Sequence, residues 1–501
     1  MRKAAVRTLS GVAIVTSLTK PHPCPGKCVY CPSETGMPKS YLSNEPAAAR
    51  ALGLNFDPYE QMARRIEMLE TNGHPTDKIE FIVKGGSWNA YPLAYQYWFI
   101  LESFLAANGR PHRCHSDRAK RVEESLSELQ KMLQVEQSKN ESARHRIIGL
   151  TLETRPDLIT HETIYHMRQM GCTRIELGLQ APDDKILKLT KRGHTVQQFK
   201  DAMFLLRQAG FKVDLHFMPG LPGSTAKHDV EMYKQIFSDP GLKPDMIKIY
   251  PCSVIKNTEL YKWYKQGKYK PYSQAKLINA LIEMKLATPR YCRISRLIRD
   301  IPEPSIEAGN KVTNLRQDLV KEMQKRGVKC KCLRCREVGH STLAPEHLST
   351  LAPILFVDRY KTVSGTEYFL SYEDKKRQVV LAFCRLRLPV IASDEAKQSS
   401  GQTTGLPRRS FLAPRNDGGR ALLRELHTYG QMMPLKHLST EALKHDEVQH
   451  TGLGKKLMAE AEKIAKKNKF KKLAVISGVG VRGYYRKLGY RKEGTYMVKN
   501  F

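Results

Sequence analysis

Cys24, Cys28 and Cys31 lie in the stretch Lys20-Pro-His-Pro-Cys-Pro-Gly-Lys-Cys-Val-Tyr-Cys-Pro32, and no other feature of the chain is as restrictive. Their spacing is C-x3-C-x2-C. Three thiolates in a short loop rich in Pro and Gly can hold three irons of a 4Fe–4S cluster and leave the fourth iron open. An open iron can bind a substrate or cofactor, which a closed four-cysteine site cannot. The competing reading is a structural zinc loop. Zinc normally takes four protein ligands, and no fourth cysteine is near, although His22 could serve.

The 501 residues correspond to roughly three domains of ordinary size, and 41% apolar residues are ample for packed cores. No run of about 18 apolar residues is present, so no membrane span is expected. The N-terminus, Met1-Arg-Lys-Ala-Ala-Val-Arg7, is a poor signal peptide, which predicts a cytoplasmic protein. The 11 cysteines group as 24/28/31 and 330/332/335, with Cys114, Cys172, Cys252, Cys292 and Cys384 scattered as packing residues. That grouping reads as metal sites in a reducing compartment, not as a disulfide framework. A formal charge of +33 favours a polyanionic partner, most plausibly nucleic acid. Arg2, Lys3 and Arg7, with Arg290, Arg293, Arg296 and Arg299, could make one RNA-binding face on which Tyr291 stacks a base. A solvated basic face is the plainer alternative.

Residues 1–75 read as a basic N-terminal segment carrying the cysteine loop. From 76 to 290, strand-like and helix-like segments alternate: 78–83, 146–152, 174–179, 211–217 and 245–250 are strands, and 195–210 is a helix with a Thr start and a Gly stop. Such alternation predicts an α/β fold, a partial parallel barrel of about six βα units with its chemistry at the C-terminal strand ends. Residues 291–350 form a basic linker. There Cys330, Cys332 and Cys335, at C-x-C-x2-C spacing, suggest a zinc site whose fourth ligand stays open between His340, His347, a carboxylate and water. Beyond 351 the strands follow at meander spacing, predicting a mixed α/β domain to residue 501, with a disordered insert at 391–418.

Gly85-Gly86 follows a strand directly, where two glycines let a ligand approach the backbone. Behind a cysteine loop of this spacing, the pair is similar to the glycine motif with which radical S-adenosylmethionine (SAM) proteins hold the methionyl group. Glu153 and Gln180, at the C-terminal ends of two strands, would point into the barrel mouth, although a Glu153–Arg155 pair is an equal alternative. Gln449-His-Thr-Gly452-Leu453-Gly454-Lys455 opens a helix and offers N–H groups to an anion. It resembles the pyrophosphate cradle for acetyl-coenzyme A in GNAT acyltransferases. Tyr484, in a later helix, sits where that fold often places a tyrosine beside the thioester, or is simply a packing tyrosine.

Longer strings carry a closer resemblance: Glu153-Thr-Arg-Pro-Asp157, Gly171-Cys-Thr-Arg174, Arg192-Gly-His-Thr-Val196, Phe369-Leu-Ser-Tyr-Glu-Asp374, Arg424-Glu-Leu-His427, Ala474-Val-Ile-Ser-Gly-Val-Gly480 and Tyr484-Tyr-Arg-Lys-Leu-Gly-Tyr490. Together they resemble the catalytic subunit of Elongator, a radical SAM/GNAT family that modifies the wobble uridine of tRNA. The likeness runs through nearly the whole chain except 391–418. It implies that Cys24, Cys28 and Cys31 ligate the cluster, and that Lys78 stands at the acetyl group of acetyl-CoA. It also implies coenzyme A contacts at Glu425, Leu426, His427, Thr428, Gly452, Leu453, Gly454 and Tyr484. Lys78 and Tyr484 are then the catalytic candidates, and Gly85, Gly86, Glu153 and Gln180 the SAM contacts. The expected partners are a tRNA anticodon stem-loop, the two cosubstrates and a reductant, with no membrane and a homodimer left open. The expected product is 5-carboxymethyluridine. The alternatives are a protein lysine acetyltransferase with a structural Fe–S domain, and a tRNA-binding scaffold with inert sites.

Overall fold

A computed structural model describes residues 11–111, 125–312, 314–338, 353–390, 419–429 and 452–501. Strand β2 (Lys78–Lys84, KIEFIVK) shows how the first domain is built. Ile79, Phe81 and Val83 are buried against the outer helices, whereas Lys78, Glu80, Ile82 and Lys84 face an internal cavity. Successive side chains of a strand point to opposite faces, so one strand here serves an apolar shell and a polar bore.

Seven parallel strands share this arrangement: β1 (Ala13–Leu18), β2, β3 (Arg146–Thr154), β4 (Arg174–Gln180), β5 (Lys212–Phe217), β6 (Met246–Ile249) and β8 (Arg293–Arg296). They form a curled half-barrel. The short β7 (Val254–Ile255) and β9 (Ile306–Ala308) pair separately. The barrel sheet reaches past both ends of the expected 76–290 span, because β1 and β8 are its edge strands. Crossover helices start at side-chain caps. Thr195 and Gln198 make a capping box at helix 196–208, in agreement with the Thr start read from sequence.

The second sheet runs β10 (Ile354–Thr362), β11 (Gly365–Glu373), β12 (Val380–Pro389), β13 (Arg420–Thr428), β14 (Lys472–Val475), β16 (Tyr496–Asn500), β15 (Arg491–Glu493). All its pairs are antiparallel except β13 with β14. That parallel pair holds register only from Arg420–Lys472 to Leu423–Val475, while β13 continues to Thr428. The strands therefore splay, and on the β14 side the backbone from 425 to 428 faces a cleft, while its other edge stays paired with β12. The insert at 391–418 joins β12 to β13 and lies outside the described residues, as does Cys114.

The two domains share a buried ionic seam. Arg424 on β13 places its guanidinium on Asp245 at 2.6 and 2.8 Å, on Glu367 at 2.9 Å, and on the Phe211 carbonyl at 2.9 Å. Arg207 and Arg387 reach the same Glu367 at 3.1 and 2.9 Å. Removing any one charge would strand its partners without water. The loop 477–481 lies so close to β3 that a Cβ on Gly478 would stand 1.9 Å from the Ile148 carbonyl oxygen.

Candidate active site

The cysteine loop leaves the C-terminal end of β1 and is pinned by backbone bonds from Val29 to Thr190 and from Leu260 to Val29. Arg192 points a guanidinium N–H at Cys28 Sγ, 3.6 Å away. Burial alone would raise the Cys28 thiol, but the charges of Arg192 and Arg155 outweigh it and hold the pKa below the ordinary value. Thiolate is the ligating form, so the residues suit a metal group. Cys31 behaves oppositely, pushed up to about 11 by burial and by Cys28.

Spacing distinguishes the two cysteine groups. A tetrahedral zinc with bonds of about 2.3 Å needs sulfurs about 3.8 Å apart. Among the described residues, three-residue sets with ligand atoms all within 4.8 Å of one another are Cys330/Cys332/Cys335 and Glu153/Glu176/His216. Cys24, Cys28 and Cys31 are not among them, so at least one of their sulfur pairs is wider than that. His22 lines the same small cavity as these three cysteines, with Nε2 3.0 Å from the Ala90 carbonyl and its ring stacked on Tyr91.

Gly85 and Gly86 have φ of +129° and +104°, and a Cβ on Gly85 would lie 1.9 Å from Thr19 Oγ1. Only glycine permits both the backbone angle and the approach. The turn reaches the cysteine loop through Ser87, whose hydroxyl lies 3.7 Å from Cys24 Sγ. Glu153 accepts a hydrogen bond from Tyr41 at 2.9 Å, and Gln180, at φ +75°, leaves its buried side-chain amide oxygen Oε1 without a partner.

The cysteines line a cavity of about 680 Å³. Tyr30, between Cys28 and Cys31 in sequence, lines a far larger one of about 2100 Å³. This larger cavity runs down the barrel bore, from Tyr41, Glu153 and Gln180 past Lys78 at the N-terminal end of β2, to residues 425–428, 452–454 and Tyr484 of the second domain. Residues more than 400 positions apart thus share one space. Gly452, at φ +71°, opens helix 453–467, and a Cβ on Gly454 would come within 2.9 Å of the Tyr484 hydroxyl. Burial raises the Tyr484 phenol. Glu425 contributes its side chain to the seam, with Arg385 at 2.7 Å and Lys212 at 3.2 Å. The buried His427 stacks on Phe383, and burial lowers its pKa. Gln449, His450 and Thr451 lie outside the described residues.

The three later cysteines close on one another beside Lys285, whose ammonium lies 3.7 Å from Cys335 Sγ. Burial opposes ionisation of Cys332, but hydrogen bonds from Cys330 and Cys335 bring its pKa well below the ordinary value. His340 and His347 lie outside the described residues.

The arginines at 290–299 already have partners: Arg293 pairs with Glu337, Arg299 with Glu45, the exposed Arg296 with Asp300, and Arg290 donates to the Arg377 carbonyl. Tyr291 is 8% exposed and stacks on Tyr360 with centroids 4.0 Å apart, so it cannot take a base. Arg2, Lys3 and Arg7 lie outside the described residues. The sequence reading also missed the charged lining of the bore. Its signal is alternation: Lys78/Glu80, Arg174/Glu176 and Lys212/Asp214/His216 place charges at every second position of otherwise apolar strands.

Comparison with known proteins agrees with this architecture. Residues 22–236 match the radical SAM superfamily, 244–325 the radical SAM C-terminal domain, and 435–501 the acetyltransferase (GNAT) domain. A protein named tRNA uridine(34) acetyltransferase from Methanocaldococcus jannaschii is 45% identical over 100% of this chain and 86% of its own length. A Dehalococcoides mccartyi protein of the same name is 39% identical over 99% of both chains. The human Elongator complex protein 3 is 36% identical, over 100% of this chain and 86% of its own. The solved structure of Methanocaldococcus infernus Elp3 lacking residues 1–46 superposes with a TM-score of 0.77 at 39% identity, covering 99% of this chain and 100% of that one. Among the described residues, no helix is long and apolar enough to cross a membrane.

Proposed function

The chain belongs to the family of tRNA uridine(34) acetyltransferases and Elongator complex protein 3, and from that premise we propose a radical SAM enzyme that forms 5-carboxymethyluridine at the wobble position of tRNA. The radical SAM fold implies a 4Fe–4S cluster and SAM, and the GNAT domain implies acetyl-CoA. One observation carries the reading: the barrel mouth and the GNAT cleft open into the same cavity of about 2100 Å³. A protein acetyltransferase with a structural Fe–S domain would have no use for that connection.

In this reading Cys24, Cys28 and Cys31 hold the cluster, with Arg192 and Arg155 favouring the thiolate of Cys28. When bound, the cluster would supply the single electron that splits SAM, the chemistry needed to join an acetyl methyl to uracil carbon 5. Gly85 and Gly86 present backbone to the methionyl group of SAM, and Glu153 and Gln180 border it. The N–H groups of Gly452–Gly454, at a helix start, hold the coenzyme A phosphates, and the free edge of residues 425–428 pairs with its pantetheine arm. Tyr484 stays protonated at neutral pH and donates to the departing thiolate. Lys78, on the bore between the two ends, positions the acetyl group. Arg50, Arg65, Lys311, Arg334, Lys455 and Lys487 line the same cavity and suit RNA phosphates. Cys330, Cys332 and Cys335 hold a structural zinc, and a cytoplasmic one-electron donor serves the cluster.

Anaerobic protein given tRNA, acetyl-CoA, SAM and a reductant is expected to yield carboxymethyluridine. Cys28→Ser should abolish it and lower bound iron while leaving zinc unchanged. Product formed by an iron-free protein would end this reading.

A further inference from the structure

Four ionisable side chains, three of them buried and Lys84 partly so, meet on the bore wall outside the residues assigned above. Glu176 Oε2 lies 3.6 Å from Lys84 Nζ, in direct contact with Lys248 Nζ, and 3.5 Å from His216 Nε2. All four line the large cavity. Glu176 stands level with Glu153 on β3, so the group begins one strand away from the barrel mouth.

Three features separate this group from an ordinary structural ion pair. First, two ammonium groups converge on one carboxylate, with Glu153 and Asp214 as further acidic neighbours. Burial, opposed by Glu176 but reinforced by Lys248, lowers the pKa of Lys84. Second, the same wall carries two buried polar atoms that make no well-formed hydrogen bond: Gln180 Oε1, and His216 Nε2 beyond its 3.5 Å approach to Glu176. Buried polar atoms are nearly always hydrogen-bonded, so these await a partner from the cavity. Third, the order of groups is donor, acceptor, donor. The Watson–Crick edge of uracil runs acceptor, donor, acceptor through O4, N3–H and O2. Cytosine runs donor, acceptor, acceptor, and would set its amino group against an ammonium. A divalent cation suits the site poorly, although Glu153, Glu176 and His216 have ligand-like spacing, because both ammonium groups would repel it.

We propose that Lys84, Glu176 and Lys248 read the Watson–Crick edge of a uracil base extruded into the barrel, with His216 as a supplementary polar contact. The inference rests on the tRNA reading above and adds how the target base is told from cytosine. An enzyme acting on a base withdraws it from its stack and reads that edge in a pocket. A site built to pair with polar substrate groups strongly rejects analogues that leave those groups unmatched.

The test uses the full chain, reconstituted anaerobically with its cluster, and anticodon stem-loops bearing uridine, 3-methyluridine or cytidine at the wobble position. Binding at one fixed moderate salt concentration, and turnover, are measured for each. The wild-type protein is expected to bind the 3-methyluridine and cytidine forms at least tenfold more weakly than the uridine form. In Glu176→Gln the penalty for 3-methylation should shrink severalfold, and in Lys248→Met the penalty for cytidine should shrink likewise. Binding and turnover within twofold for all three stem-loops in the wild-type protein would overturn the proposal, and that arm needs no variant to fold. Discrimination that survives both substitutions unchanged would also overturn it. If discrimination is present but no carboxymethyluridine forms, the reading site stands and the proposed reaction falls.

Discussion

At the scale of single residues, the site depends on positions where one extra atom is too many. Gly85 combines a φ of +129° with so little room that a Cβ would stand 1.9 Å from Thr19 Oγ1. Gly85→Ala is therefore expected to cost roughly 1–3 kcal/mol of local strain, or to move the turn off Ser87 and Cys24. SAM-dependent 5′-deoxyadenosine formation should fall at least tenfold with a lowered Tm, and unchanged values for both would exclude a role for the turn. Tyr484→Phe keeps the ring and removes the hydroxyl beside Gly454. It should slow acetyl-CoA hydrolysis by about 10²-fold, within the usual span for a proton donor, while leaving iron content unchanged. These residues were legible in the sequence because Gly-Gly, Gly-x-Gly and clustered cysteines carry chemistry in their spacing alone. Arg290, Arg293, Arg296 and Arg299 were not, because their acidic partners arrive from other parts of the chain. A run of arginines looks the same whether water or Glu337 and Glu45 surround it.

At the scale of elements, the sheets follow from apolar runs. Strands β2 to β6 announce themselves as short apolar segments between helical stretches, and the Thr195 cap fixes where helix 196–208 begins. β8 escaped notice because Arg-Ile-Ser-Arg has one apolar residue, and the charge of its Arg293 is neutralised only by Glu337 on a later helix end. β1 follows a basic terminus that masked it as part of the N-terminal segment. The splay between β13 and β14 is invisible in sequence, since it shows only in where their pairing stops, at Leu423 and Val475. The tight join between 477–481 and β3 gives a test at this scale. Gly478→Ala would place a Cβ 1.9 Å from the Ile148 carbonyl, pushing the elements apart. A drop of several degrees in Tm is expected, together with weakened coupling between SAM cleavage and acetyl-CoA. A variant as stable and as coupled as the parent would show that the contact is slack.

At the scale of the whole molecule, the ionic seam makes the two domains one thermodynamic unit. Burial opposes ionisation of Glu425, but Lys212 and Arg385 outweigh it and draw its pKa from 4.5 to about 2. The pKas of Asp245 and Glu367 are lowered in the same sense. A carboxylate lowered on folding contributes stability that is complete above about pH 4.5 and disappears as the pH falls towards 2. Unfolding free energy should therefore drop steeply across that window. Glu425→Gln should flatten the slope by roughly 3 kcal/mol, checked by denaturant titration at successive pH values. An unchanged slope would place Glu425 outside the linkage. The bore has a consequence of its own. On the proposed reaction, thioester and nucleoside chemistry are housed in a common chamber, and whatever fills one end becomes a wall for whatever enters the other.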